Sequence, residues 1–418
     1  MRILIYGLNY WPELTGIGKY TGEMAAWLAE RGHEVRVVAA PPYYPAWQVR
    51  EDYRGKWYRT ERAAGKPVVH RTPLYVPARP TGIKRVVHLA SFMLGSLPVM
   101  LREAFWQPEV VFTVEPTFFG APLALFAARL AGAASWLHVQ DFEVDAAFDL
   151  GLLPPQGSIH DAALGLERFF ASGFDRVSGI SPKMVERARA KGIADQRLVL
   201  FPNWVDVEAI HPIAPEVNAA NPIRRELAVK VPGIEEKILL LYSGNMGAKQ
   251  GIELLAPLAE AFASDERVHF LFCGDGAFRP KLEALVGQRA NVTLLPLQPF
   301  ERLNDLLNAA DIHLLPQRAD AADLVMPSRL TGMLASGRPV VATAQAGTQV
   351  AEVVAGRGLV VPAEDAEALN EAVRRLVDDE PLRARLGRAA REYAVEHLGK
   401  QQVLEQFERD LKSLVAQT

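Results

Sequence analysis

Apolar positions along the chain fall into short continuous runs, separated by stretches where they recur at helical spacing. Runs at 2–6, 35–39, 68–71, 110–114, 134–139, 176–180 and 198–201 predict strands, and a first helix follows the opening strand at about 19–31. A second set of runs lies at 238–242, 268–273, 292–295, 311–315, 339–343 and 358–361, with helices centred near 258, 283, 304, 334 and 350. Runs without polar alternation mark strands covered on both faces, and their alternation with helices predicts α/β domains with parallel, doubly wound sheets. Between the two sets, Phe201-Pro202-Asn203-Trp204-Val205-Asp206 and the prolines at 212, 215 and 222 predict a domain boundary. From Asp365 the pattern is helical to the end, with 392–398 and 401–415 as separate segments. Two such sheets of similar size imply a cleft between two domains.

A length of 418 residues agrees with two cores rather than one. The net charge of −3 gives no sign of a nucleic-acid surface. The single cysteine, Cys273, lies in an apolar run, which excludes a disulfide framework and a cysteine-rich metal site and predicts a small buried residue. The chain opens on a strand rather than on a signal peptide, so the expected location is cytoplasmic. The longest apolar stretch, Val86 to Leu101, contains His88 and Pro98 and falls short of the roughly 20 residues of a spanning helix. Flanked by Lys84, Arg85 and Arg102, it fits either a core helix or a helix lying in a membrane interface.

The candidate chemistry concentrates in turns that follow strands. In Tyr242-Ser243-Gly244-Asn245-Met246-Gly247-Ala248-Lys249-Gln250-Gly251, glycines let a backbone approach a ligand, the following helix start offers free N–H groups, and Lys249 adds a charge. That is how a pyrophosphate is held, although a plain turn with a solvated lysine fits the same residues. Gly16 and Gly18 form a second such place ahead of the first helix. His138, in His138-Val139-Gln140-Asp141-Phe142-Glu143, stands at a strand end, either as a functional group of a crevice or as a satisfied structural residue. Ser181 reads as a helix N-cap, and Pro41 to Trp47 as an aromatic loop that stacks on a sugar or packs on the surface. Pro327 ends an extended segment, so Ser328 falls at or near a helix N-cap with Arg329 one residue on. A dinucleotide reading of Gly274-Asp275-Gly276 fails for want of the third glycine and the later acid.

These residues together resemble the retaining GT-B glycosyltransferases of family 4, over essentially the whole length. The carriers are Thr15-Gly16-Ile17-Gly18, Phe201 to Asp206, Gly244 to Gly251, Gly274-Asp275-Gly276 and Ser336 to Thr343, in the family's order and spacing. Leu8 to Tyr20, Ala40 to Pro45 and Asp323 to Thr331 resemble more closely the branch that assembles bacterial colanic-acid-type exopolysaccharide. The resemblance implies two Rossmann-like domains facing a central cleft: residues 1–204 for the acceptor and 205–399 for the nucleotide sugar, with a last helix at about 400–418 packing back on the first. It implies a nucleoside-diphosphate-sugar donor (GDP-fucose in that branch), a lipid-linked saccharide acceptor, peripheral membrane contact at the cytoplasmic face, and no cofactor or metal.

Site roles carried by the resemblance fall on Gly16 and Gly18 at the donor phosphates, and on His138 near the donor sugar as a catalytic group. Gly244, Asn245, Lys249, Gln250 and Gly274 belong to the second phosphate loop, Lys249 also stabilising the leaving group, while Asp323, Ser328 and Arg329 complete the donor site. The sequence departs from the family where an arginine is replaced by Asn245 and a lysine by Gln250, with Lys249 one place earlier. The family's two glutamates, eight apart, fall on Leu324 and Gly332, and only Asp323 stands nearby. Two other readings stay open: a sugar-nucleotide epimerase of the same fold, which would release altered sugar without acceptor, and a non-catalytic assembly subunit, which would bind nucleotide without turnover.

Overall fold

The computed structural model describes the chain except residues 14–15, 79–81, 116–117, 143, 146–147, 149–155, 215–217, 219, 248–249, 288, 320–326 and 418. It forms two compact units, Met1–Pro202 with Val403–Thr418, and Asn203–Gln402. In the first, one sheet holds β1 (Arg2–Gly7), β2 (Glu34–Ala39), β3 (Arg59–Glu61), β4 (Val68–Arg71), β5 (Val110–Glu115), β6 (Ala134–Val139), β7 (Arg176–Gly179) and β8 (Leu198–Leu200). Their order is β3-β4-β2-β1-β5-β6-β7-β8, and every pairing is parallel except the edge strand β3 against β4. β3 is Arg-Thr-Glu, with no apolar run, which is why the hydrophobic pattern does not reveal it. The order reverses between β1 and β5, so the crevice at the carboxyl ends of those strands is the natural ligand site of this unit.

Right-handed crossovers put the helices Ile83–Ala104, Ala121–Ala131, Ser158–Ala171 and Pro182–Ala190 on one face of this sheet and Gly16–Glu30 on the other. The stretch around Val86 to Leu101 is helical and half committed to the core. Phe92 stacks on Tyr6 at 5.3 Å, Ser96 meets the Tyr6 hydroxyl at 2.8 Å, and Arg36 donates to Glu103 at 2.7 Å. The other side of the helix leaves Ile83, Val86, Val87, Leu94 and Leu97 exposed. Ser181 caps its helix as expected, accepting from the Met184 amide at 3.2 Å. The last helix, Lys400–Val415, belongs to this unit: Phe407 stacks on Phe201 at 4.2 Å and meets Phe112 and Trp136 at 5.1 and 5.4 Å.

The second unit holds β9 (Ile238–Asn245), β10 (Val268–Asp275), β11 (Val292–Leu295), β12 (Ile312–Leu315), β13 (Val340–Thr343) and β14 (Gly358–Val361) in the order β11-β10-β9-β12-β13-β14, all parallel. Cys273 is buried on β10, as its apolar run predicts. Here the order reverses between β9 and β12. β9 and β10 outrun their apolar residues, pairing Gly274 with Gly244 and Asp275 with Asn245. Glycine makes this possible: a Cβ on Gly274, whose φ is +154°, would lie 1.9 Å from the Gly244 carbonyl oxygen. Two backbones meet where a side chain would hold them apart.

Candidate active site

The reversal between β9 and β12 gathers the second unit's predicted residues. Gly244 and Asn245 end β9, Met246 follows them, and the helix Ser328–Ala335 lies beyond β12. Arg329 reaches back to this turn. Its Nη1 donates to the Tyr242 hydroxyl at 2.8 Å, its guanidinium lies 4.9 Å from the centre of that ring, and the Tyr242 hydroxyl donates to the Asn245 carbonyl at 2.7 Å. A Cβ on Gly244 would lie 3.4 Å from Arg329 Cδ, in van der Waals contact, so the arginine runs directly over this glycine. Among the described residues no carboxylate pairs with Arg329. A half-buried, oriented, unneutralised guanidinium beside a glycine turn is built to receive an anion.

Around it the loop is braced from behind. The Met246 amide donates to the Asp275 carbonyl at 2.7 Å, the Gly276 amide to Asp275 Oδ1 at 2.8 Å, and the Phe278 amide to the Met246 carbonyl at 2.8 Å. Gly274 is buried against Gly244 and supports the turn. The Gln250 backbone N–H donates to the Gly247 carbonyl at 3.3 Å, while its buried side-chain Oε1 has no partner among the described residues. Gly251 packs on the backbone of Gln317, where a Cβ would lie 3.1 Å from the carbonyl carbon. The Thr343 hydroxyl pins Gln317 in turn, accepting from its amide and donating to its carbonyl, each at 2.8 Å.

Ser328 is the first residue of its helix rather than the cap; Pro327 holds the cap position, and no side chain caps the helix start. Ser328 itself is exposed, beside Arg329. Gly332, where the family's second glutamate would fall, has a Cβ position 3.3 Å from Leu307 Cδ1, so an acid there must displace the end of that leucine. Lys249 and Asp323, along with Leu324, lie outside the described residues.

In the first unit the predicted residues separate. Gly16 is exposed at φ +57° with open space around it, as a backbone approached by a ligand would be. Gly18 is buried, and a Cβ there would sit 2.7 Å from Glu13 Cβ, so glycine makes room for that acid. His138 lies inside the unit. It is 4% exposed, with Nδ1 at 2.9 Å from Ser178 Oγ and Nε2 at 3.0 Å from the donating Gln140 amide nitrogen, so both ring nitrogens are engaged inside the unit. Its ring lies between Phe112 and Phe201. Burial pushes its pKa down to about 3, keeping the imidazole neutral. Alternation along β6 explains the outcome: His138 points to the face covered by the last helix, like Trp136, and the strand's carboxyl end passes to Gln140.

A cluster that the motifs do not single out stands at the carboxyl ends of β1, β2 and β4. Glu13, 4% exposed, accepts from the amides of Tyr43 and Tyr44 at 2.9 Å each and from Asn9 Nδ2 at 2.8 Å. Burial raises its pKa, against the opposing pull of those donors and of Arg71. Arg71 donates to the carbonyls of Ala40 (2.9 Å) and Trp11, and faces Glu61 at 3.3 Å. Tyr43 is buried here, with its hydroxyl 3.2 Å from His88 Nε2. The signal available in sequence is a lone arginine closing the apolar run of β4. Among the described residues, no group of three or more His, Cys, Asp or Glu is placed to hold a metal.

Two α/β units with mostly parallel sheets, each reversing its strand order once, have the architecture of the GT-B class. The description "Glycosyl transferase 4-like domain" matches residues 15–204, and "Glycosyl transferases group 1" matches residues 224–393. The chain is 41% identical to the putative colanic acid biosynthesis glycosyl transferase WcaI of Escherichia coli K12, over 99% of this chain and 100% of that one. Sucrose-phosphate synthase from Thermosynechococcus elongatus superposes with a TM-score of 0.74 at 18% identity, covering 100% of both chains. WaaG, a glycosyltransferase involved in lipopolysaccharide biosynthesis, does so with 0.65 at 19%, covering 99% of each. The chain belongs to the GT-B glycosyltransferases of the family 4 and group 1 type.

Proposed function

We propose that this enzyme transfers a hexosyl residue from a nucleoside diphosphate, with retention of anomeric configuration, onto a lipid-linked saccharide in colanic-acid-type exopolysaccharide assembly. GDP-fucose is the proposed donor. The observation that carries the chemistry is Arg329, oriented beside the Gly244 turn and without a carboxylate partner among the described residues, and the full-length relative in Escherichia coli supports the pathway. As the bond from the anomeric carbon to the pyrophosphate oxygen breaks, charge develops on the leaving diphosphate. Arg329, the backbone around Gly244 and the open start of the Ser328 helix would stabilise it. The acceptor hydroxyl forms the new bond and its proton passes to a leaving-group oxygen, with Lys249 beside the same phosphates. Membrane contact is proposed through the exposed side of Ile83–Ala104 together with Tyr44 and Trp47, whereas Tyr43 is buried and takes no part.

The test is a thermal-shift series with GDP, UDP, ADP and dTDP, followed by product analysis with GDP-fucose and a lipid-linked acceptor. A bound ligand raises the melting temperature by mass action, so GDP should give the largest shift. Release of altered free sugar, or binding without any transfer, would overturn the proposal; an inverted product would overturn its stereochemistry.

A further inference from the structure

Two buried charges join the loops that leave β1 and β2. Glu13 belongs to the first loop, and its Oε1 accepts from the Tyr43 and Tyr44 amides of the second at 2.9 Å each. Arg71, 2% exposed at the end of β4, grips the same two loops by their carbonyls. It donates to Trp11 of the first and, at 2.9 Å, to Ala40 of the second. Its guanidinium lies 5.5 and 5.4 Å from the ring centres of Tyr10 and Tyr53. Burying charge is costly, and connecting loops ordinarily tolerate variation. A double clasp of this kind belongs where two loops must keep one geometry for a ligand.

What the clasp holds outward is Trp11. Arg71 takes its carbonyl, and the Glu13 amide closes the turn around it by donating to the Tyr10 carbonyl at 3.2 Å. The helix Gly16–Glu30 packs on it through Gly22, where a Cβ would lie 3.0 Å from Trp11 Cβ. The backbone is thus fixed, yet the side chain is 54% exposed. A rigidly mounted indole offers a large contact face at little entropic cost on binding. It stands just past the carboxyl end of β1, beside the reversal between β1 and β5 where a sheet of this kind takes its ligand. The indole face suits the apolar C–H face of a pyranose ring, whose hydroxyls stay free to meet polar groups and water.

We propose that Trp11 is the stacking platform for a sugar ring of the acceptor, and that Glu13 and Arg71 are the positioning residues that hold it there. The site rests on the transferase reading above and supplies the acceptor contact of that reaction. Glu13 also fixes the backbone of Tyr44, assigned above to the membrane, in one register with Trp11. The lipid and sugar ends of one acceptor then have separate places on the two clasped loops.

The experiment is titration of the full-length protein with octyl β-D-glucopyranoside and octyl β-D-galactopyranoside below their micelle concentrations, followed by calorimetry. Octyl phosphocholine, with the same chain and no sugar, is the comparison. The glycosides should bind more tightly than octyl phosphocholine. Trp11→Ala should lower glycoside affinity about tenfold, the effect of uncovering ~60 Å² of apolar surface, and Trp11→Phe should recover most of it. Neither should move the melting temperature or the affinity for GDP. Glu13→Gln should lower glycoside affinity about fivefold, the worth of one net hydrogen bond, because it sets an amide nitrogen against Asn9 Nδ2. Adding Asn9→Asp places an acceptor opposite that nitrogen and should restore sugar binding, a rescue that a merely destabilised loop would not show. Equal affinity for all three ligands, unchanged affinity in Trp11→Ala, or failure of the Asn9→Asp rescue in a protein that still melts cooperatively would overturn the proposal. Glycoside binding through Trp11 without any sugar transfer would sink the proposed function and leave this site standing. Transfer to a lipid-linked acceptor at the wild-type rate in Trp11→Ala would do the reverse.

Discussion

Arg329 is the side chain on which the donor site turns, and its value comes from how it is held. The Tyr242 hydroxyl takes one of its donors at 2.8 Å and leaves the rest of the fork available to oxygen ligands. Arg329→Ala should weaken nucleoside-diphosphate binding by about 1.5–3 kcal/mol, the range for a hydrogen bond to a charged group. Calorimetry with the diphosphate measures this directly, and an unchanged dissociation constant would place the phosphates elsewhere. His138 calls for the opposite test. Its native pKa of about 3 lies below the usual 6.5 of histidine, so the unfolded chain binds a proton there that the native protein refuses. Its contribution to stability is therefore complete above pH 6.5 and is lost as pH falls from there toward 3. Over that window it adds ~1.4 kcal/mol per pH unit to the acid destabilisation. His138→Gln should flatten the urea-unfolding profile between pH 4 and 6 by about that slope. It should leave nucleotide affinity unchanged; a loss of turnover without a change in the stability profile would return the histidine to the chemistry.

Among the elements, the glycine turns separate readable positions from unreadable ones. Apolar runs and helical spacing locate nearly every strand and helix, because both faces of a parallel sheet must be apolar and the pattern records that directly. The pattern is silent where the backbone alone acts. Strands β9 and β10 continue past their apolar residues through Gly244 and Gly274, and β3 pairs without any apolar residue. The same blindness affects the site: a glycine that faces a ligand and a glycine that packs on a neighbour look alike in sequence. Gly16 and Gly274 make the contrast testable. Gly16→Ala meets open space and bears only the left-handed backbone, at a cost of ~1–2 kcal/mol. Gly274→Ala drives a methyl to 1.9 Å from the Gly244 oxygen and should separate the two strand ends. Its protein should lose nucleotide binding altogether and melt well below both wild type and Gly16→Ala. Equal melting temperatures for the two variants would show that the ladder does not extend through Gly274.

At the scale of the whole molecule, the chain does not fold its first unit from its first half alone. Val403, Leu404, Phe407, Leu411 and Leu414 are all buried in the unit formed with Met1–Pro202. Burial contributes ~1.5–3 kcal/mol for each large apolar side chain, so together they supply an amount on the order of a domain's whole stability. An ion cluster fixes the same helix. Glu408 accepts from Arg31 at 2.7 Å, His33 at 3.0 Å and Lys412 at 2.7 Å. Burial alone would raise that carboxyl, yet these donors hold its pKa down at about 2. The helical pattern of the tail is plain in the sequence, but nothing in its spacing says which sheet it covers, since that depends on contacts with Phe112, Trp136 and Phe201. A fragment of residues 1–202 should therefore be unfolded or aggregated, with Phe112, Trp136, His138 and Phe201 left bare. Adding a peptide of residues 400–418 in trans should restore a cooperative melt. Phe407→Ala in that peptide should abolish the rescue, because it deletes the ring at the centre of the cluster and costs ~3–5 kcal/mol. Glu408→Gln should only weaken it, since the apolar contacts remain. A fragment of residues 1–202 that melts cooperatively without the peptide would show that the last helix decorates the first unit and does not complete it.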